Sequence, residues 1–134
     1  MASKLKVDEL EGVTTAGSID VTSEGGAVST NLQQGLVKAW VNYTTISSTT
    51  NKDSFNVATL TDGGTGETTI TFTNNMNTTN YSPIATCGEL LSTAATRISH
   101  LGTKTSSTIR VHTTTTSGVD DVPDSNVGIL GDLA

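Results

Sequence analysis

The chain has 134 residues, of which 34% are hydrophobic and 4% aromatic, and its formal net charge is −6. The acidic balance, with only seven scattered Lys and Arg residues, argues against binding to nucleic acid or to an anionic membrane. No apolar stretch approaches the roughly 18 residues that a membrane-spanning helix needs. The opening residues lack the apolar core of a signal peptide, so we expect synthesis in a cytoplasm.

The polarity of the chain comes from hydroxyl groups rather than from charge. Charged residues make up only 15% of the sequence, and Thr, Ser and Gly are abundant. Threonine is β-branched and suits a half-exposed strand, so the composition favours an all-β protein. Few apolar residues also mean a thin core for a monomer, because apolar burial is the main term that opposes chain entropy. We therefore expect an oligomer.

The first 35 residues contain no aromatic residue and only sparse apolar ones. Short strands are predicted at residues 7–10 and 17–21, separated by Gly and Ser turns. Such a segment cannot form a core alone, so we predict an extended N-terminal arm over residues 1–35 for docking or oligomer clasping. Its predicted interface residues are Leu5, Val7, Ile19 and Val21.

From residue 36 the pattern changes to strands. Residues 36–43 alternate, with Val37, Ala39, Val41 and Tyr43 on one face and Trp40 on the other. A polar loop at residues 44–52 precedes a strand at 54–60. A Gly-rich turn at 62–66 leads into a strand at 67–73, and the two strands form a predicted hairpin. Ile70 and Phe72 are predicted to point inward.

The remaining segments complete a compact antiparallel domain over residues 36–134. A loop at 74–80 precedes a strand at 81–87, which has Pro83 near its start or on a sheet edge. Residues 89–98 indicate a short helix or a long loop. Ile109 and Val111 face the core from a strand at 107–114, an acidic turn follows at 119–125, and residues 126–131 form a last strand. About six short strands predict a small β-sandwich or barrel.

Several of these segments are similar to a known class of sequences. Residues 3–10 resemble the S-x-L-K-V-D-x-[IL] opening of many small marine bacteriophage proteins, and residues 38–43 resemble their K-A-W-[VI]-N-[FY] strand. Residues 53–58, 61–66 and 69–73 are similar to their S-[FL]-N-[VI]-[AS], T-D-x-G-T-G and T-V-x-F-T series. The pair at 80–81 and the closing residues 127–134 also fit. The matches run in order along nearly the whole chain.

The resemblance is to tail-fibre-like or virion structural proteins. It implies a non-enzymatic virion component with no catalytic residues and no cofactor, made in the host cytoplasm and released by lysis. A homotrimer exposed on the particle as a tail-fibre or tail-tip component is expected, with its own copies and other virion proteins as partners. The chain ends directly after the β-domain, which leaves open a capsid decoration (cement) protein.

A glycan-binding module that recognises host surface polysaccharide is a further alternative. The loops at 44–52 and 74–80 carry amide and hydroxyl groups that suit sugars. Tyr43 and Tyr81 are the aromatic residues nearest to these loops, where a sugar-binding site needs exposed rings.

Other chemically suggestive residues favour ordinary structural roles. His100 and His112 lack a neighbouring ligand pattern, although three copies of His112 around a trimer axis could hold a metal. Cys87 has no nucleophile signature around it and is predicted to be a buried small residue. The Asp120, Asp121 and Asp124 cluster lacks the spacing of the familiar calcium loop. We expect no metal site from these residues.

Trp40 is the residue singled out for a non-catalytic role. It lies on the face of its strand opposite Val37, Ala39 and Val41, among polar neighbours. A large aromatic side chain there can pack under the arm or against a neighbouring subunit, because Trp is enriched at interface hot spots. Alternatively, both faces of that strand are buried within one sandwich.

Overall fold

Alternation of apolar and polar residues produces an almost entirely β structure in the computed structural model. The structure describes residues 4–12, 19–22, 25–26, 28–88 and 96–134. The chain divides into two units, Met1–Leu36 and Val37–Ala134. In chain order the elements are β1 (Asp20–Thr22), β2 (Ser29–Asn31), α1 (Leu32–Gly35), β3 (Val37–Thr44), β4 (Thr50–Phe55), β5 (Val57–Gly64), β6 (Glu67–Phe72), β7 (Ser82–Cys87), β8 (Ile98–Lys104), β9 (Thr108–Thr115), β10 (Gly118–Val119) and β11 (Ser125–Leu130).

The first unit contains a short antiparallel hairpin of β1 and β2, followed by one helical turn. Asn31 caps α1 by accepting a hydrogen bond from the Gln34 amide at 3.1 Å. None of the described residues of this unit is buried. The predicted strand at residues 7–10 is wrong, because these residues form no strand and no described segment pairs with them. Of the strand predicted at 17–21, residues 17 and 18 lie outside the described part, and β1 begins at Asp20.

Two antiparallel sheets form the second unit. One has the strand order β4-β3-β11-β7, so the last strand of the chain lies between β3 and β7. The other has the order β10-β9-β6-β5, with β8 also paired to β9. This arrangement confirms the predicted antiparallel β-sandwich, and no closed barrel forms among the described residues.

The inner faces of both sheets meet in a single core. Its buried members come from alternate positions of β3, β6, β9 and β11, together with two residues of the connecting segments: Ala39, Val41, Tyr43, Ile70, Phe72, Met76, Tyr81, Ile109, Val111, Val127 and Ile129. The rings of Phe72 and Tyr81 pack edge to face with centroids 5.8 Å apart. The inward faces predicted for Ile70, Phe72, Ile109 and Val111 are confirmed.

Three segment predictions are corrected. The loop predicted at 44–52 ends earlier, because β4 begins at Thr50. The strand predicted at 54–60 is two strands in different sheets, separated by Asn56, whose φ of 57° turns the chain. A strand absent from the prediction, β8, begins at Ile98, where a helix or loop was expected; residues 89–95 of that segment lie outside the described part.

Candidate functional site

The outer face of the four-stranded sheet carries a row of apolar residues. Cross-strand pairing places Phe55 opposite Trp40, Trp40 opposite Gly128, and Gly128 opposite Ile84. Residues that pair directly lie on the same face of a sheet, so these four form one line across all four strands. Phe55 is 53% exposed, Trp40 38% and Ile84 58%. We call Phe55, Trp40, Gly128 and Ile84 the apolar row.

A depression opens in the middle of the apolar row, because Gly128 has no side chain. A Cβ atom added at Gly128 would meet no other atom within 4 Å. The depression has a volume of about 290 Å³ and is lined by Trp40, Val41, Ile84, Thr86, Asn126, Val127 and Gly128. That volume lies at the small end of the roughly 300–1,000 Å³ of typical ligand sites. Its size and apolar lining suit one or two inserted side chains.

A polar row borders the apolar row on one side. Asn42 Nδ2 donates to Asn126 Oδ1 at 2.7 Å and to Asp124 Oδ1 at 2.6 Å. Lys52 Nζ lies 2.8 Å from the same Asp124 oxygen. The hydrogen bond from Lys52, followed by that from Asn42, lowers the pKa of the Asp124 carboxyl. This network fixes the polar border of the depression.

Only one predicted interface residue, Trp40, belongs to this face. Leu5, Val7 and Val21 are exposed in the first unit, at 81%, 55% and 53%. Ile19 is partly buried, and its carbonyl oxygen accepts a hydrogen bond from the Leu32 amide at 2.7 Å. Trp40 points away from the core, so the alternative in which both faces of β3 are buried does not apply at this residue.

Sequence reasoning missed Phe55 and Ile84 as neighbours of Trp40. Each residue lies on a different strand, and cross-strand register depends on contacts distant in sequence. The only signal in the local sequence was that each of the strands β3, β4 and β7 carries an aromatic or apolar residue on its outward face. The strand predicted at 54–60 also concealed Phe55, because it merged two strands that belong to different sheets.

The two histidines lie directly opposite each other on β8 and β9. His100 Nε2 is 2.8 Å from Thr114 Oγ1, and His112 Nδ1 is 3.6 Å from a Glu67 carboxylate oxygen. Within the part of the chain that the structure describes, no group of three metal-ligating side chains comes together. His100 thus contacts Thr114 of β9, and His112 contacts Glu67 of β6.

The three clustered aspartates hold separate segments in place. Asp120 accepts two hydrogen bonds from Arg97, at 2.8 and 3.1 Å. Asp121 accepts a hydrogen bond from the Gly66 backbone amide at 2.8 Å, while Asp124 forms an ion pair with Lys52. Each carboxylate thus binds a different residue, and together they connect the segment after β10 to Arg97, Gly66 and Lys52.

Cys87 is a free, partly buried thiol near the end of β7. It pairs in register with Ser125 of β11. Its predicted role as a buried small residue is close to what the structure shows, although burial is incomplete.

The two tyrosines considered for sugar binding are both buried. Tyr43 is 1% exposed and Tyr81 3%. Tyr81 donates its hydroxyl hydrogen to the Thr108 carbonyl at 3.0 Å. Burial raises the pKa of Tyr81 to about 12 and also raises the pKa of Tyr43. Neither ring offers a stacking face for a sugar beside the loops at 44–52 and 74–80.

No described helix is long and apolar enough to cross a membrane. Comparison of the chain with protein-family models, with curated proteins and with solved structures finds no match.

Proposed function

We propose that this chain is a non-enzymatic structural subunit of a bacteriophage particle, exposed on the particle and assembled as a homotrimer in a tail fibre or tail tip. The observation that carries the proposal is the apolar row on the open outer face of the four-stranded sheet. Three large side chains lie there in line, each more than a third exposed. A surface of this kind marks a site of protein association in a soluble protein.

The shape of the apolar row supports association over small-molecule binding. Tryptophan is the residue most enriched among binding hot spots, and such anchors lie centrally with less critical contacts around them. Trp40 occupies β3, an inner strand, and Phe55 and Ile84 flank it on the two edge strands. The sheet pairing fixes the backbones that carry these side chains, so little backbone entropy is lost when a partner covers them.

The likeness of residues 3–10, 38–43 and 127–134 to phage tail-fibre-like proteins supports the choice of particle. The first unit, with its exposed Leu5, Val7 and Val21, would supply contacts to other subunits. In this proposal the function is mechanical: the arm binds a partner and the sandwich projects from the particle surface.

The direct test is mass spectrometry of purified particles from the phage that encodes this chain, calibrated on the major capsid protein. We expect the chain in washed particles at a fixed copy number divisible by three. Gold-labelled antibodies viewed by electron microscopy would then locate it. Label at the tail supports the tail assignment, whereas label over the whole capsid would replace it with a decoration protein. Absence from washed particles would contradict the proposal altogether.

A further inference from the structure

We infer that the apolar row is the docking site for the arm of a second copy of this chain, with Leu5 seated over Gly128 and Val7 between Trp40 and Phe55. The inference rests on the proposed function, in which copies of the chain assemble, and it adds the two surfaces that meet. It assigns an occupant to a depression that is open in the single chain.

The depression is wide enough to admit an aliphatic side chain. Trp40 and Ile84 lie on the two strands that flank Gly128. Neighbouring strands are about 4.8 Å apart, so the backbones that carry these two walls are separated by about 10 Å. The Gly128 floor leaves that space unfilled. A leucine side chain entering from above would contact both walls.

The arm offers side chains at a matching spacing. Residues 4–7 form no helix and no paired strand, and Leu5 and Val7 are 81% and 55% exposed. In an extended chain, side chains two residues apart lie on one side, about 7 Å from each other. Along the apolar row, the point midway between the Trp40 and Phe55 backbones lies one and a half strand spacings from Gly128, which is also about 7 Å. The two contacts can therefore form together.

Charge favours the same pairing. The first seven residues contain Lys4 and Lys6 and no acidic residue, whereas residues 37–134 contain five basic and eight acidic ones. Asp53 of β4 pairs in register with Asn42, which lies on the same face of β3 as Trp40, and it forms no ion pair within the described part of the chain. Lysine stems are long enough to lie along an apolar surface and place the ammonium group near such a carboxylate. The amino-terminal end of the arm thus complements the acidic sandwich.

Trp40 provides a direct readout, because it is the only tryptophan in the chain. We expect the emission of the full-length protein to shift to shorter wavelength as its concentration rises, since docking removes the indole from water. The shift should follow the increase in mass measured by light scattering over the same dilution series.

Two variants of the full chain separate this site from other interfaces. Gly128→Leu fills the depression from below, and its Cβ atom would meet no other atom within 4 Å. The double change Leu5→Asp with Val7→Asp removes two exposed apolar side chains of the arm. Loss of a central anchor weakens association by about thirtyfold or more, and we expect at least that from each variant. The matched controls are Thr61→Leu, on exposed β5 of the other sheet, and Val28→Asp, at another exposed arm residue. Both controls should associate like the parent.

Each alternative result overturns the inference in a recognisable way. A protein that stays monomeric over the whole dilution series has no such contact. An oligomer unaffected by both variants uses another interface, while the proposed role in the particle would still stand. A short-wavelength emission that is independent of concentration and is lost in the arm variant means that the arm docks within its own chain. A shift produced by host polysaccharide, and unchanged in the arm variant, would make the face a glycan site. Arm-dependent association in a protein absent from particles would instead disprove only the proposed function.

Discussion

Threonine hydroxyls give this protein much of its polarity. Two buried threonines, Thr113 and Thr68, differ in whether the hydroxyl has a hydrogen-bond partner. Thr113 is 3% exposed and donates its hydroxyl hydrogen to the Asp120 carbonyl at 2.6 Å. Thr68 is 1% exposed, and its hydroxyl has no hydrogen-bond partner in the described part of the chain. The Tyr43 phenol lies near Thr68 but outside hydrogen-bond geometry. A buried hydroxyl without a partner destabilises the fold, whereas one with a partner stabilises it.

The same substitution should therefore have opposite effects at these two positions. Thr68→Val removes an unsatisfied hydroxyl, and we expect the free energy of unfolding to rise by about 1 kcal/mol. Thr113→Val leaves the Asp120 carbonyl without its donor, and we expect a loss of about 1–2 kcal/mol. Urea denaturation with an unchanged slope would measure both. A loss of stability at Thr68 as large as that at Thr113 would show that the Thr68 hydroxyl is bonded after all.

At the scale of elements, Asn56 is the corner at which the chain passes from one sheet to the other. It follows β4 and precedes β5, with a φ of 57°. Its side-chain nitrogen donates hydrogen bonds to the Lys38 and Asn74 carbonyl oxygens at 3.0 and 3.1 Å. Its side-chain oxygen accepts a hydrogen bond from the Asn74 backbone amide at 2.7 Å. Asparagine tolerates the left-handed conformation better than other side-chain-bearing residues do, which fits this position.

Substitutions at Asn56 should separate the backbone contribution from the hydrogen bonds. Asn56→Gly keeps the conformation and loses the bonds, whereas Asn56→Ala loses the bonds and strains the backbone. We expect the alanine variant to be less stable than the glycine variant by about 1 kcal/mol in chemical denaturation. Equal stability of the two variants would mean that the left-handed conformation carries no strain.

This corner also illustrates what the sequence could predict. Alternation is a local pattern, so the inward faces of β6 and β9, and that of β3 from Ala39 to Tyr43, could be assigned from the residues alone. The alternation predicted for the start of β3 is wrong, because Val37 is exposed and Lys38 is buried. A turn at Asn56 interrupts the pattern for one residue, and its effect depends on which strands pair later. Likewise β8 carries little alternation, because most of its residues are exposed. Trp40 could be identified as outward-facing, but its neighbours Phe55 and Ile84 required the register of three strand pairs.

For the whole molecule, the distribution of apolar residues is the main feature. Among the described residues, thirteen large apolar side chains are exposed while twelve apolar residues are buried. In the described part of a chain that is 34% hydrophobic, the surface thus carries at least as many apolar side chains as the core. A further stabilising contribution is available if copies of the chain cover those surfaces. Assembly would then supply burial that the single sandwich lacks.

The native mass of the purified full-length protein, measured by light scattering during size-exclusion chromatography, tests this account most directly. The account predicts a particle of three times the 13.8 kDa chain mass, which dissociates on dilution or on filling the depression at Gly128. A protein that remains at 13.8 kDa at every concentration would contradict it, because the exposed apolar row would then have no copy of the chain as its partner.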